Sequence, residues 1–139
     1  MPRIDDGFST TIDFALDSAV QFFEKEVQPP GLASGGAIDT TTMLNTTYRT
    51  MAPKKLITLT ESSLVVAYDP LVYNEIIAMI GTIQQITITF PDGVTIIFFG
   101  WIDEFTPAAL VEGEQPTADI TIIPSNQNVS LVETAPVIA

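Results

Sequence analysis

Apolar and polar residues alternate along most of this chain, and the alternation predicts strands. In Thr11-Ile12-Asp13-Phe14-Ala15-Leu16-Asp17, Ile12, Phe14 and Leu16 share one face while Asp13 and Asp17 share the other. That is the pattern of a strand with core on one side and water on the other. Val20 to Val27 reads as a second strand, with Glu24 and Glu26 on one face, and a short helix is the competing reading. Pro29-Pro30-Gly31 and Ser34-Gly35-Gly36 mark a loop. No Lys-Ser/Thr follows this Gly-rich stretch and no helix opens after it, so it is not a phosphate-binding loop. The threonine-rich run Ile38 to Leu44 reads as a strand with a polar face. Asn45 to Lys55 then forms a polar loop of about eleven residues, long for a connection inside a compact domain.

Leu64 to Tyr68 is β-rich, and Asp69-Pro70 opens the clearest helix. Asp69 suits the N-cap, Pro70 the first turn, and Glu75 the positive end of the helix dipole. Tyr73, Ile76, Ile77 and Ile80 fall at helical spacing, an apolar stripe suited to packing on a sheet, and Gly81 ends it. Gln85 to Phe90, the turn Pro91-Asp92-Gly93 and Val94 to Ile102 predict a β-hairpin. Its second arm is apolar on both faces, so both sides need cover. Ala118 to Pro124 is the last strand, and 127–139 is an apolar, irregular arm suited to docking on a neighbour.

Composition narrows the class. The 139 residues suit a single domain, 46% hydrophobic and only 16% charged, below the usual quarter of charged residues. An apolar chain with few charges hides surface somewhere, and oligomer interfaces are the common place. No stretch approaches the roughly 18 apolar residues of a membrane span. The start Met1-Pro2-Arg3-Ile4-Asp5-Asp6 has neither the basic start nor the apolar run of a signal peptide, which suggests a chain that starts life in a cytoplasm. Cysteine and histidine are both absent. Without them there is no disulfide framework, no Ser-His-Asp or Cys-His arrangement, and no histidine-based metal site. No cofactor is implied. The carboxylate pairs Asp103/Glu104 and Glu112/Glu114 are the remaining catalytic option. Neighbours on a strand face opposite ways, which argues against the first pair, and the second lies in a Gly/Pro loop. The chain is read as non-enzymatic.

The net charge is −12, and the five basic residues are Arg3, Lys25, Arg49, Lys54 and Lys55. Leu56 to Ala139 holds ten acids and no base. Such a chain repels a phosphate backbone rather than gripping it.

Several fragments in order resemble the major tail tube proteins of long-tailed bacteriophages. They are Tyr68-Asp69-Pro70 leading into a helix with Tyr73, Ile86-Thr87-Ile88-Thr89-Phe90-Pro91-Asp92-Gly93, Phe98-Phe99-Gly100-Trp101-Ile102, and Ala118-Asp119-Ile120-Thr121-Ile122-Ile123-Pro124-Ser125. Phe105-Thr106-Pro107 and Gly113 lie in the loop before the last of these, and Ile38-Asp39-Thr40-Thr41 with Tyr48-Arg49-Thr50 and Pro53-Lys54 resembles the family's strand and stacking loop. The resemblance spans most of the chain.

It implies a mainly β (α+β) fold: a β-sandwich or barrel of two antiparallel sheets with one flanking helix. It also implies hexameric rings, stacked into the virion's tail tube, through which DNA passes without specific binding. The implied partners are further copies of the chain, a tape measure protein, and the tail tip and tail terminator proteins, with no membrane. The chain lacks an added immunoglobulin-like domain, and its short form leans towards a flexible, sheathless tail. Tyr48, Arg49, Lys54 and Lys55 are the expected ring-stacking residues, since a basic loop on an acidic body suits a head-to-tail contact. Asp13, Asp17, Glu24 and Glu26 are candidates for a negative lumen wall that lets DNA slide. One sequence leaves open whether they line a lumen or merely face solvent. Phe22, Phe23, Phe98, Phe99 and Trp101 suit core or subunit packing better than a stacking platform. The alternative function is a carbohydrate-binding or adhesive β-sandwich module of a virion surface.

Overall fold

The computed structural model describes residues 9–16 and 24–139. Asp17, Phe22, Phe23 and the first half of the second expected strand lie outside them. In chain order the elements are β1 (Thr11–Phe14), β2 (Glu24–Gln28), β3 (Leu32–Ala33), β4 (Ala37–Asp39), β5 (Met51–Pro53), β6 (Thr58–Leu59) and β7 (Ser62–Ala67). Helix α1 (Tyr73–Met79) follows, then β8 (Gln84–Thr89), β9 (Thr95–Pro107), β10 (Thr117–Pro124) and β11 (Val137–Ile138).

The fold is mainly β. One antiparallel sheet runs in the order β1-β8-β9-β10-β7-β2. It curls until its outer strands approach, where the Ile12 amide donates to Glu24 Oε1 at 3.3 Å. The inside of the curl holds the core. Alternation along β8, β9 and β10 sends Ile86, Ile88, Phe98, Ile102, Ile120 and Ile122 inward, all essentially without exposure. Each such side chain contributes on the order of 1.5–3 kcal/mol. Two separate sheets were expected from the resemblance. Among the described residues, the strands outside this curled sheet form only the two-stranded pairs β3-β6 and β4-β5.

The β8–β9 hairpin forms as expected. Asp92 Oδ1 accepts from the Val94 amide at 3.1 Å, and the Phe90 amide donates to the Val94 carbonyl at 2.8 Å. Strand β9 then runs far beyond the hairpin, because it changes partners. Its first half pairs with β8 and its second half with β10. Between them Thr121 faces Glu104 but Ile122 faces Ile102, so Asp103 is an extra residue in the ladder. This β-bulge reverses the in-out alternation. Ile96, Phe98 and Ile102 point inward before it, and Phe105 packs on the core after it.

The helix is shorter and differently rotated than its sequence stripe suggests. Asp69 Oδ1 caps the Leu71 amide at 3.0 Å, but Pro70–Val72 form a 3-10 turn and only Tyr73–Met79 are α-helical. Ile76 and Met79 enter the core while Ile77 is 67% exposed. The tighter first turn shifts the inward stripe to Val72, Ile76 and Met79. Gly81 ends the helix as expected, its amide donating to the Ile102 carbonyl at 3.0 Å. Tyr73 stays on the surface side, its ring edge-on to Phe105 at 5.5 Å and to Tyr68 at 6.2 Å.

Four further expectations need correction. Leu16 lies beyond the end of β1, 49% exposed, with its amide held by Gln84 Oε1 at 3.0 Å. The strand expected over Ile38 to Leu44 is confined to Ala37–Asp39, and the expected loop of 45–55 contains the strand Met51–Pro53. The arm 127–139 docks on its own chain: β11 pairs with Ile96 and Ile97, on the edge of β9 opposite β8. Thr95 and Ala139 exchange backbone hydrogen bonds of 2.9 and 3.0 Å beside it.

Candidate functional site

Two surfaces stand apart from the core. The first is a ribbon built by nested pairing of residues 31–60. Leu32 pairs with Leu59, Ala37 with Pro53 and Asp39 with Met51, and Thr60 and Gly31 close its base. Gly35 and Gly36 both hold positive φ, a conformation open to glycine, between the two pairs of strands. Neither pair of strands joins the main sheet.

Short side chains organise the tip. Asn45 Oδ1 accepts from the Thr42 amide at 2.8 Å, and Asn45 Nδ2 donates to the Tyr48 carbonyl at 3.1 Å. The Thr40 hydroxyl donates to that of Thr50 at 2.9 Å. The Thr41 hydroxyl and then its amide hold the Asp39 carboxyl below its ordinary value. Arg49 reaches the same carboxylate at 3.5 Å. That pair is solvent-exposed, so water and salt screen it and it adds little to stability.

Large apolar side chains on the ribbon face solvent. Leu44 is 90% exposed, Tyr48 80% and Leu56 82%, joined by Ile38, Met51 and Ile57. An isolated two-stranded ribbon is marginal in water, and an apolar patch on one marks a surface that another molecule covers. The structure puts Tyr48 and Arg49 together at the tip, with Lys54 and Lys55 further down beside Leu56 and Ile57. All four expected stacking residues are thus on one ribbon and exposed. The exposed aliphatics were missed, although runs such as Met43-Leu44 and Leu56-Ile57 flanking a polar loop were a visible sign.

The second surface is the face of the curled sheet turned away from the core. Directly opposite residues in an antiparallel ladder share a face, which makes its rows readable. Glu26 lies opposite Val65, Val65 opposite Asp119, and Asp119 opposite Thr106. Glu104 lies opposite Thr121 and accepts from the Thr106 hydroxyl at 2.9 Å. Asp13 lies opposite Thr87. Asp13, Glu26, Glu104 and Asp119 therefore share a face rich in threonine. Lys25 at its margin donates to Gln115 Oε1 at 2.8 Å.

Of the expected wall residues, Asp13 and Glu26 reach this face and Asp17 lies outside the described residues. Glu24 does not reach it. A bulge at Lys25 breaks the alternation, so Glu24 faces buried Val66 while Glu26 faces Val65. The Glu24 carboxylate is spent on the seam with β1. Glu104 and Asp119 were missed. Asp119 was legible, between the inward Ala118 and Ile120; Glu104 depends on the bulge. That bulge also leaves Asp103 and Glu104 both exposed, against the expectation of opposite faces. Phe98 is buried, and Phe99 and Trp101 are half-buried in the sheet.

No protein-family model matches the chain, and no curated protein does. Solved structures do. A chain of the anti-feeding prophage baseplate, determined with six-fold symmetry, is similar with a TM-score of 0.61 at 8% identity, over 88% of this chain and 93% of that one. A chain of the sheath-tube complex of the PVC extracellular contractile injection system, in its extended state, gives a TM-score of 0.58 at 11% identity, over 94% of this chain and 87% of that one. This chain shares their fold.

Proposed function

We propose that this protein is a structural subunit of a phage-tail-like particle, which self-assembles into stacked hexameric rings forming a tail tube. The observation that carries the reading is the ribbon of residues 31–60, a projecting element whose large apolar side chains are left to solvent. A solitary molecule gains nothing from such an element, whereas a copy above or beside it would cover those side chains. The shared fold supports the setting, because one similar chain belongs to a prophage baseplate and the other to the sheath-tube complex of a contractile injection system. They do not favour the sheathless tail that the sequence resemblance suggests.

In this reading the acidic sheet face lines the channel. Asp13, Glu26, Glu104 and Asp119 repel a phosphate backbone, so DNA slides during ejection into the host instead of binding. A tape measure protein would fill the channel beforehand, with tail tip and terminator proteins at the ends. The role is one of geometry and charge, without catalysis or cofactor.

Negative-stain microscopy of the purified protein tests this. Rings or tubes with a central hole and six-fold class averages are the expected result. A population of single particles of monomer size at high concentration and low salt would refute it.

A further inference from the structure

We propose that the segment Lys54-Lys55-Leu56-Ile57 of the ribbon docks on the loop Leu110-Val111-Glu112-Gly113-Glu114 of a second copy of this chain. The inference rests on the self-assembly reading above and names the two surfaces that meet. Each segment sets two exposed aliphatic side chains beside two like charges, and the charges are opposite in sign. Leu56 and Ile57 are 82% and 70% exposed, and Leu110 and Val111 are 69% and 54% exposed.

The receiving loop is a defined projection between β9 and β10. The Ala108 amide donates to the Thr117 carbonyl at 2.9 Å across its neck, and the Glu114 amide donates to the Val111 carbonyl at 3.2 Å at its tip. The two segments do not satisfy one another within a chain. Among the described residues, Arg49 and Asp39 form an ion pair, and none of Lys54, Lys55, Glu112 and Glu114 does.

Other acidic surfaces match the ribbon less well. The acids of the sheet face stand among threonines and half-buried aliphatics, so they offer no exposed apolar partner. Leu131-Val132-Glu133 has the exposed aliphatics but a single acid. A patch and its complement at different places on one chain give a head-to-tail contact, which closes into a ring or continues as a filament. In it the aliphatics are removed from water, and the charges set partner and register.

A charge swap decides the matter. One variant carries Lys54→Glu and Lys55→Glu, a second carries Glu112→Lys and Glu114→Lys, and a third carries all four. Each pair alone is expected to raise the concentration needed for assembly about ten-fold or more. An equimolar mixture of the two variants should assemble again with the copies alternating, and the four-fold variant should assemble on its own. Unimpaired assembly of the Glu112→Lys/Glu114→Lys variant would overturn the pairing. So would a mixture and a four-fold variant that both remain monomeric while melting like the wild type. In those outcomes a wild type that still forms tubes leaves the proposed function standing, whereas a wild type that never assembles removes both.

Discussion

At the scale of single residues, two positions control how β9 meets its neighbours. Gly100 is buried where β9 passes from β8 to β10. A Cβ there would lie 2.6 Å from the Ile123 carbonyl oxygen and 3.1 Å from the Pro124 Cα. Both obstacles are backbone, so the strands must part to admit a methyl group. Gly100→Ala should lower stability by about 1–3 kcal/mol, read as a reduced urea midpoint with an unchanged slope. Asp103 is the second position. As the extra residue of the bulge it stands outside the alternation, so that Glu104 follows Ile102 in the ladder. Deleting it should leave an unbulged ladder with Phe105 still inward and Thr106 still outward. The near-ultraviolet signal of the Tyr68, Tyr73 and Phe105 cluster is therefore expected to be kept, and its loss would show that the bulge itself is needed.

At the scale of elements, the ribbon is separable from the sheet, since its strands pair with one another and not with the core. Replacing residues 41–49 by a two-residue Asn-Gly turn should move the melting temperature by no more than a few degrees. The same change should abolish assembly, because it removes Leu44, Tyr48 and Arg49 together. The elements that were legible in the sequence are those where one local rule acts alone. The Pro91-Asp92-Gly93 turn carries its own hydrogen-bonding side chain, and the alternation of Ala118 to Pro124 needs no partner to be read. What was hidden depends on pairing. The bulges at Lys25 and Asp103 are visible only once opposite strands are aligned, and they moved Glu24 off the acidic face and put Glu104 on it. The ribbon's returning arm was read as part of the loop of 45–55 because Met51–Pro53 is too short to show a period, and its pairing with Ala37–Asp39 spans a tip that no periodicity announces.

At the scale of the whole molecule, charge is divided between two surfaces. Three of the chain's five basic residues are on the ribbon, and the sheet face holds acids among threonines. Converting Glu26, Glu104 and Asp119 to lysine together reverses the sign of that face. Such particles should retain double-stranded DNA that wild-type particles release, and the retention should weaken steeply as salt rises. Retention by the wild type itself would contradict the proposed passage of DNA.

The central claim is that a single copy is incomplete, with greasy surface that only identical copies cover. Sedimentation velocity of the wild type, over a wide concentration range at low and high salt, measures this directly. The account predicts a concentration-dependent shift from a boundary near 15.0 kDa to ring-sized and longer species, favoured at low salt. A single unshifted boundary at that mass, under every condition, would contradict it.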